Sequence, residues 1–169
     1  DIASLAGALA QARRAIDALI EALDAQILEC VNANEAIAST YQRLDAIVGI
    51  GPQTAALLAN LLHRIPFAKA DAVVAYSGLD PRPNDSGQHR GRRRITKRGP
   101  PEMRRLLFLA AQAAAKSKAA RPVYEAIRAK GFSTTQALVI LARKLLRVAY
   151  SIWKTGQSFE LGRLLPAAA

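Results

Sequence analysis

The chain has 169 residues, with 24 Lys and Arg against 13 Asp and Glu and a formal charge of +11, enough length for one domain with a real core or a small domain with a helical arm. Its single cysteine, Cys30, excludes a disulfide framework and a Cys-rich zinc site and suits a reducing compartment. Residues 106–115 are too short an apolar run to span a bilayer, and the run after Ala137 is broken by Arg143, Lys144 and Arg147, so the expectation is a cytoplasmic protein with no membrane partner.

Ala and Leu dominate, aromatic residues are few and most apolar periodicity is helical, which predicts an all-α fold. Charge is uneven along it. Residues 1–45 sum to −4, residues 46–81 to zero, residues 82–105 to +7 and residues 106–169 to +8, so a polyanion-facing surface belongs to the C-terminal half. Nucleic acid is the expected partner; the alternative is a basic surface that only keeps the protein soluble. The chain opens on Asp1 rather than Met and on an amphipathic helix rather than a signal peptide, which suggests a fragment of a longer protein.

Residues 1–44 read as one long helix without proline. Leu9, Ala12, Ile16, Leu19 and Leu23 keep a heptad spacing, and Ile20, Ile27 and Val31 widen the seam. So narrow a stripe suits a partner helix, either from another copy of the chain or from elsewhere in the same fold, or else the domain's own core. The predicted arm, residues 1–43, is coiled-coil-like and is the expected route to a homo-oligomer. The compact domain follows at 44–156.

Residues 44–62, LDAIVGIGPQTAALLANLL, have the pattern of a helix-hairpin-helix: a short helix, a turn at Gly49 to Gly51, and a second helix opened by Pro52. Its glycines allow close approach to a ligand and its amides can face a phosphate, with Gln53 standing where a cation often assists. A purely structural hairpin is the alternative. His63 and His89 have no companion ligands and do not read as a metal pair.

A short helix is predicted from about Ala70 to Gly78, with Ser77 in its last turn. Pro81, Pro83 and Asn84 then forbid a helix, and Ser86-Gly87 sits in the resulting loop. Residues 88–97 are basic and fit a short β-hairpin closing at Ile95-Thr96. Pro100 and Pro101 restart a helix, predicted to reach Ser117. Another is expected between Arg121 and Gly131. Ser133 or Thr134 caps the last helix, with Leu138, Leu141, Leu145, Val148 and Ile152 as its stripe and Gly156 as its stop. Arg143, Lys144 and Arg147 lie off that stripe, and residues 157–169 are expected to fray.

The order of GIGPQTAALL, AYSGLDPRPNDSG, ITKRG, PPEMRRLLFLAA and ALVILARKLLRVAYSIW resembles the C-terminal transposase domain of the IS110-type insertion-sequence transposases, relatives of the Piv-type DNA invertases. The resemblance covers roughly residues 44–156. It implies a longer enzyme in which an N-terminal RuvC-like domain holds Mg2+ on four acidic residues and a guide RNA encoded by the element selects donor and target DNA. On that reading this chain carries no cofactor, holds half of a composite site and is inactive alone.

The resemblance places the catalytic serine, the attacking group in DNA strand exchange, at Ser86. A serine hydroxyl needs an accessible position, a proton acceptor and cations to stabilise the charge on phosphorus, and Arg82, Arg90, Arg92, Arg93 and Arg94 lie nearby in sequence. Asp85 and His89 are candidates to assist proton transfer. Lys97, Arg98 and Arg104, with those arginines and Gly49 and Gly51, complete the expected contacts to DNA or guide RNA phosphates. The competing possibility is a non-catalytic helix-hairpin-helix module for nucleic-acid binding and oligomerisation.

Overall fold

The computed structural model describes residues 2–82, 85–86, 89–90 and 94–164. The described residues form seven α-helices and two very short antiparallel strand pairs, an all-α architecture as the sequence predicts. In chain order these are α1 (Ile2–Asn32), α2 (Glu35–Asp45), α3 (Pro52–Arg64), α4 (Ala70–Ser77), β1 (Pro81–Arg82), β2 (Asp85–Ser86), β3 (His89–Arg90), β4 (Arg94–Ile95), α5 (Pro101–Lys116), α6 (Arg121–Ala129) and α7 (Thr134–Thr155). A 3-10 turn, Leu161–Arg163, follows.

α7 is the axis of the core. Ser133 accepts from the Gln136 backbone amide while the Gln136 side chain accepts from the Ser133 amide, a reciprocal cap that fixes its first turn. Leu138, Leu141, Leu145, Val148 and Ile152 are buried, and so are Ala142, Leu146 and Ala149 beside them, because α2 to α6 all pack against this helix. Burial on so many sides explains why the run is nearly continuous in apolar residues rather than a narrow stripe. Tyr150 lies at its edge and donates its hydroxyl to the Phe67 carbonyl at 3.0 Å.

α5 approaches the turn between α2 and α3 very closely. Gly49 has φ +91, and a Cβ there would lie 2.5 Å from the Ala110 carbonyl oxygen and 2.6 Å from the Ala114 Cβ, so only glycine fits. Pro52 at the first turn of α3 makes the turn and the helix start coincide.

Two expectations change. The single helix predicted over residues 1–44 is broken at Ala33-Asn34, where Asn34 leaves helical geometry and its side chain accepts from the Ile37 amide at 3.2 Å. The seam of α1 is then only anchored at its end: Val31 is buried, whereas Leu9, Ile16, Leu19 and Leu23 are between 49% and 63% exposed. Cys30 is exposed beside it. Within the tail predicted to fray from residue 157, the 3-10 turn brings Leu164 to full burial in the core, while residues 157–163 stay exposed or half-buried. Residues 165–169 lie outside the described residues. Among the described residues no helix is long and apolar enough to cross a membrane.

Candidate nucleic-acid interface

The interface is built outward from the end of α4. Gly78 stops the helix in left-handed geometry, and the chain then runs into β1. β1 pairs with β4, Pro81 opposite Ile95 and Arg82 opposite Arg94. Further out β2 pairs with β3, Asp85 opposite Arg90 and Ser86 opposite His89. The predicted short hairpin therefore spans more of the loop than residues 88–97, because its outgoing strand begins at Pro81.

Three clasps close its base. Thr96 donates its hydroxyl to Asp80 Oδ1 at 2.6 Å, and its amide donates to the Asp80 carbonyl at 3.1 Å. Lys97 takes a left-handed backbone, φ 56, unusual for a residue with a side chain, and its amide donates to the Gly78 carbonyl at 3.0 Å. Gly99 then crosses the end of α4 so closely that a Cβ would fall on the Tyr76 carbonyl oxygen and within 2.7 Å of the Ser77 carbonyl carbon. Sequence reasoning missed all three, since a Thr and an Asp 16 positions apart carry no local signal.

The exposed cations at this base are Arg82, Arg94, Lys97 and Arg98. Arg82 and Arg94 are register partners, so two guanidinium groups share one face of the ladder. Like charges directly opposite destabilise a strand pair in the absence of an anion. Arg104 differs from its expected phosphate role: half-buried, its Nη1 donates to the Gly99 carbonyl and, at 3.4 Å, to the Ser77 carbonyl. It is a brace for the crossing. Arg105, next to it, bonds Glu102, and that contact first and its positive charge second hold the Glu102 carboxyl below the usual range.

The two serines separate cleanly. Ser77 is fully buried, donates to the Val74 carbonyl at 2.6 Å and accepts from the Leu79 amide at 3.2 Å, so it is a helix-end cap with no access to a substrate. Ser86 lies in β2, where only its backbone pairing is described. Arg90 is placed likewise by the backbone of β3, and Arg92 and Arg93 lie outside the described residues.

The glycine turn is placed differently from the hairpin. Gly49 makes its close approach to α5, whereas Gly51 caps α3 with open space where a Cβ would point. Gln53, in the first turn of α3, donates to Asp24 of α1 at 3.1 Å, which puts a carboxylate beside that helix start. His63 Nε2 lies 2.8 Å from the Thr40 hydroxyl and its ring meets Trp153 edge-on, so it belongs to the packing between α2, α3 and α7. Among the described residues no three His, Cys, Asp or Glu side chains converge to hold a metal ion.

What these elements define is an all-α domain presenting an arginine-bearing hairpin on a clasped base. The family model described as "Transposase IS116/IS110/IS902 family" matches residues 41–125, half of the chain and all of the hairpin, and the chain belongs to that family. It is 32% identical over 162 residues to the insertion element IS110 uncharacterized 43.6 kDa protein of Streptomyces coelicolor, covering 94% of this chain and 37% of that one. It is also 28% identical over 148 residues to the pilin gene-inverting protein of Moraxella bovis, covering 83% and 45% respectively. A third relative, the insertion element IS116 uncharacterized 44.8 kDa protein of Streptomyces clavuligerus, is 26% identical over 153 residues, which is 89% of this chain and 37% of that protein. The chain thus spans less than half the length of these relatives.

Gly99→Ala tests the clasp. The added methyl has no space, so overpacking is expected to destabilise the domain by about 1–3 kcal/mol, read from denaturant melts; an unchanged midpoint would show that the crossing is not a constraint.

Proposed function

We propose that this chain is the nucleophile-bearing, nucleic-acid-binding domain of a transposase or site-specific recombinase, and that Ser86 attacks the DNA backbone. Family membership and the pilin gene-inverting relative support the reaction class. The observation that carries the reading is the pairing of Arg82 with Arg94 at the base of the hairpin whose outer strands hold Ser86 and Arg90. A phosphate between the two guanidinium groups turns their repulsion into two charge-assisted contacts.

In the proposed step the Ser86 oxygen bonds to a DNA phosphorus while the bond from that phosphorus to the leaving nucleotide oxygen breaks. The serine proton passes to a base, and the leaving oxygen is protonated. Attack on the phosphoserine by a hydroxyl of a second strand releases the serine and completes exchange. Arg82, Arg90, Arg92, Arg93 and Arg94 stabilise charge on the phosphorus, and Lys97 and Arg98 hold flanking phosphates. Burial of Ser77 in its own hydrogen bonds supports Ser86 over it.

Mg2+ belongs, in this proposal, to a carboxylate set in another part of the enzyme. Sequence choice is assigned to a guide RNA paired with the DNA. The uncovered apolar seam of α1 joins this chain to a second copy, so that two sites act on paired strands.

Ser86→Ala in the full-length enzyme is expected to lower strand exchange by at least about a thousandfold while DNA affinity stays within about twofold, measured by recombination and gel-shift assays. Undiminished exchange would favour the alternative, a non-catalytic helix-hairpin-helix binding and oligomerisation module. Sedimentation tests the seam: Ile16→Asp with Leu23→Asp is expected to halve the mass in solution, and an unchanged mass would remove α1 from any interface between copies.

A further inference from the structure

The cations of α7 that stand outside its apolar stripe meet in one groove. Arg143, Arg147 and Ser151 recur at steps of four along one face of the helix, with Lys144 three positions before Arg147, and the 3-10 turn folds back so that Arg163 lines the same groove, of about 480 Å3. Of the four cations, Arg147 alone has a carboxylate partner among the described residues, Asp71 at 2.7 Å. Arg163 bonds Ser151 Oγ at 3.4 Å and the Gln157 side chain, and Lys144 Nζ lies 3.5 Å from the Leu164 carbonyl.

Arg143 is the least satisfied of them. Its Nε is buried with no hydrogen-bond partner among the described residues. Burial first, and the charge of Arg147 second, push its pKa down from the ordinary guanidinium value, with Asp71 and Asp80 pulling the other way. A partly buried guanidinium beside a like charge is unfavourable, and an oxyanion bound in the groove relieves that repulsion. Arg147 ties the groove to α4 through Asp71, and α4 runs at Gly78 into the base of the hairpin.

We infer that this groove is a second phosphodiester site, which seats the backbone of a nucleic-acid strand running on past the hairpin. Four cations against a single carboxylate exceed what one phosphate neutralises, which favours a polymer with successive charges over a free anion. Strand chemistry is left to the test, since DNA and RNA present the same phosphodiester. The inference rests on the nucleic-acid reading of the domain but not on Ser86 as nucleophile.

The test is fluorescence anisotropy of the 169-residue chain with labelled duplex DNA and, in parallel, a labelled RNA hairpin, across about 50 to 200 mM salt. Three variants are compared with the unmodified chain: Arg143→Gln with Lys144→Gln, Arg163→Gln alone, and Arg82→Gln with Arg94→Gln. The groove pair is expected to weaken binding about tenfold at the higher salt and to reduce the salt slope by about 2, and Arg163→Gln by about 1. The probe whose titration changes identifies the strand as DNA or RNA. Unchanged affinity and slope for both groove variants on both probes would overturn the inference, and if the hairpin pair still lost binding the domain's own reading would stand. An unmodified chain that binds neither probe would overturn both. Should the α7 pair fail to fold by circular dichroism, Arg163→Gln, on the surface turn, decides alone.

Discussion

Gly99 lies against the Tyr76 carbonyl where the chain leaving the hairpin crosses the end of α4, and the position of each cation at the hairpin base follows from that contact. A loop bearing seven more positive than negative charges between residues 82 and 105 repels itself, and nothing in its own composition would hold two arginines on facing strand positions. The crossing supplies what the loop lacks. Arg104 braces it from α5, the Gly78 carbonyl receives the Lys97 amide, and Asp80 receives both the hydroxyl and the amide of Thr96. Repulsion within the hairpin is thereby opposed by hydrogen bonds at its root that use none of the Arg82, Arg94, Lys97 or Arg98 side chains.

The root in turn depends on α7, which packs against α4 and carries Arg147 to Asp71. That carboxyl is held below its usual range by the hydrogen bond from Arg147 and then by its charge. One helix therefore has three tasks: it fills the core with Leu141, Leu145 and Ile152, steadies α4 with Arg147, and lines the basic groove with Arg143, Lys144 and Arg147. α1 stands apart from this arrangement, tied to the domain among the described residues through Val31, the Asp24 to Gln53 hydrogen bond and its contacts with α2 and α3.

The helices were legible wherever a local signal fixed an end. Pro52, Pro101 and Ser133 open helices where expected, and Gly78 and Gly156 close them in left-handed geometry, because these residues act within a single turn. The break at Asn34 was missed because apolar spacing continues through it, and its cap is a lone Asn without the Glu or Gln three positions on that completes a capping box. Leu164 was missed because one leucine after a glycine and a polar stretch has no period. Glycines revealed that something approaches closely but not what: Gly49 meets α5, and Gly99 meets α4, each from a distant part of the chain. Arg104 looked like its neighbours in sequence, and only the fold shows it turned toward carbonyl oxygens rather than outward.

Covalent trapping bears most directly on the chemistry assigned to the hairpin. The full-length protein, with the guide RNA and Mg2+ proposed for it, is incubated with a nicked suicide DNA, and the digested protein is searched by mass spectrometry for a nucleotide adduct. The predicted result is an adduct on Ser86 that vanishes in Ser86→Ala. A preparation that recombines DNA yet yields no serine adduct would contradict it, and would leave this domain as a clamp that holds the strands while hydrolysis and transfer occur elsewhere.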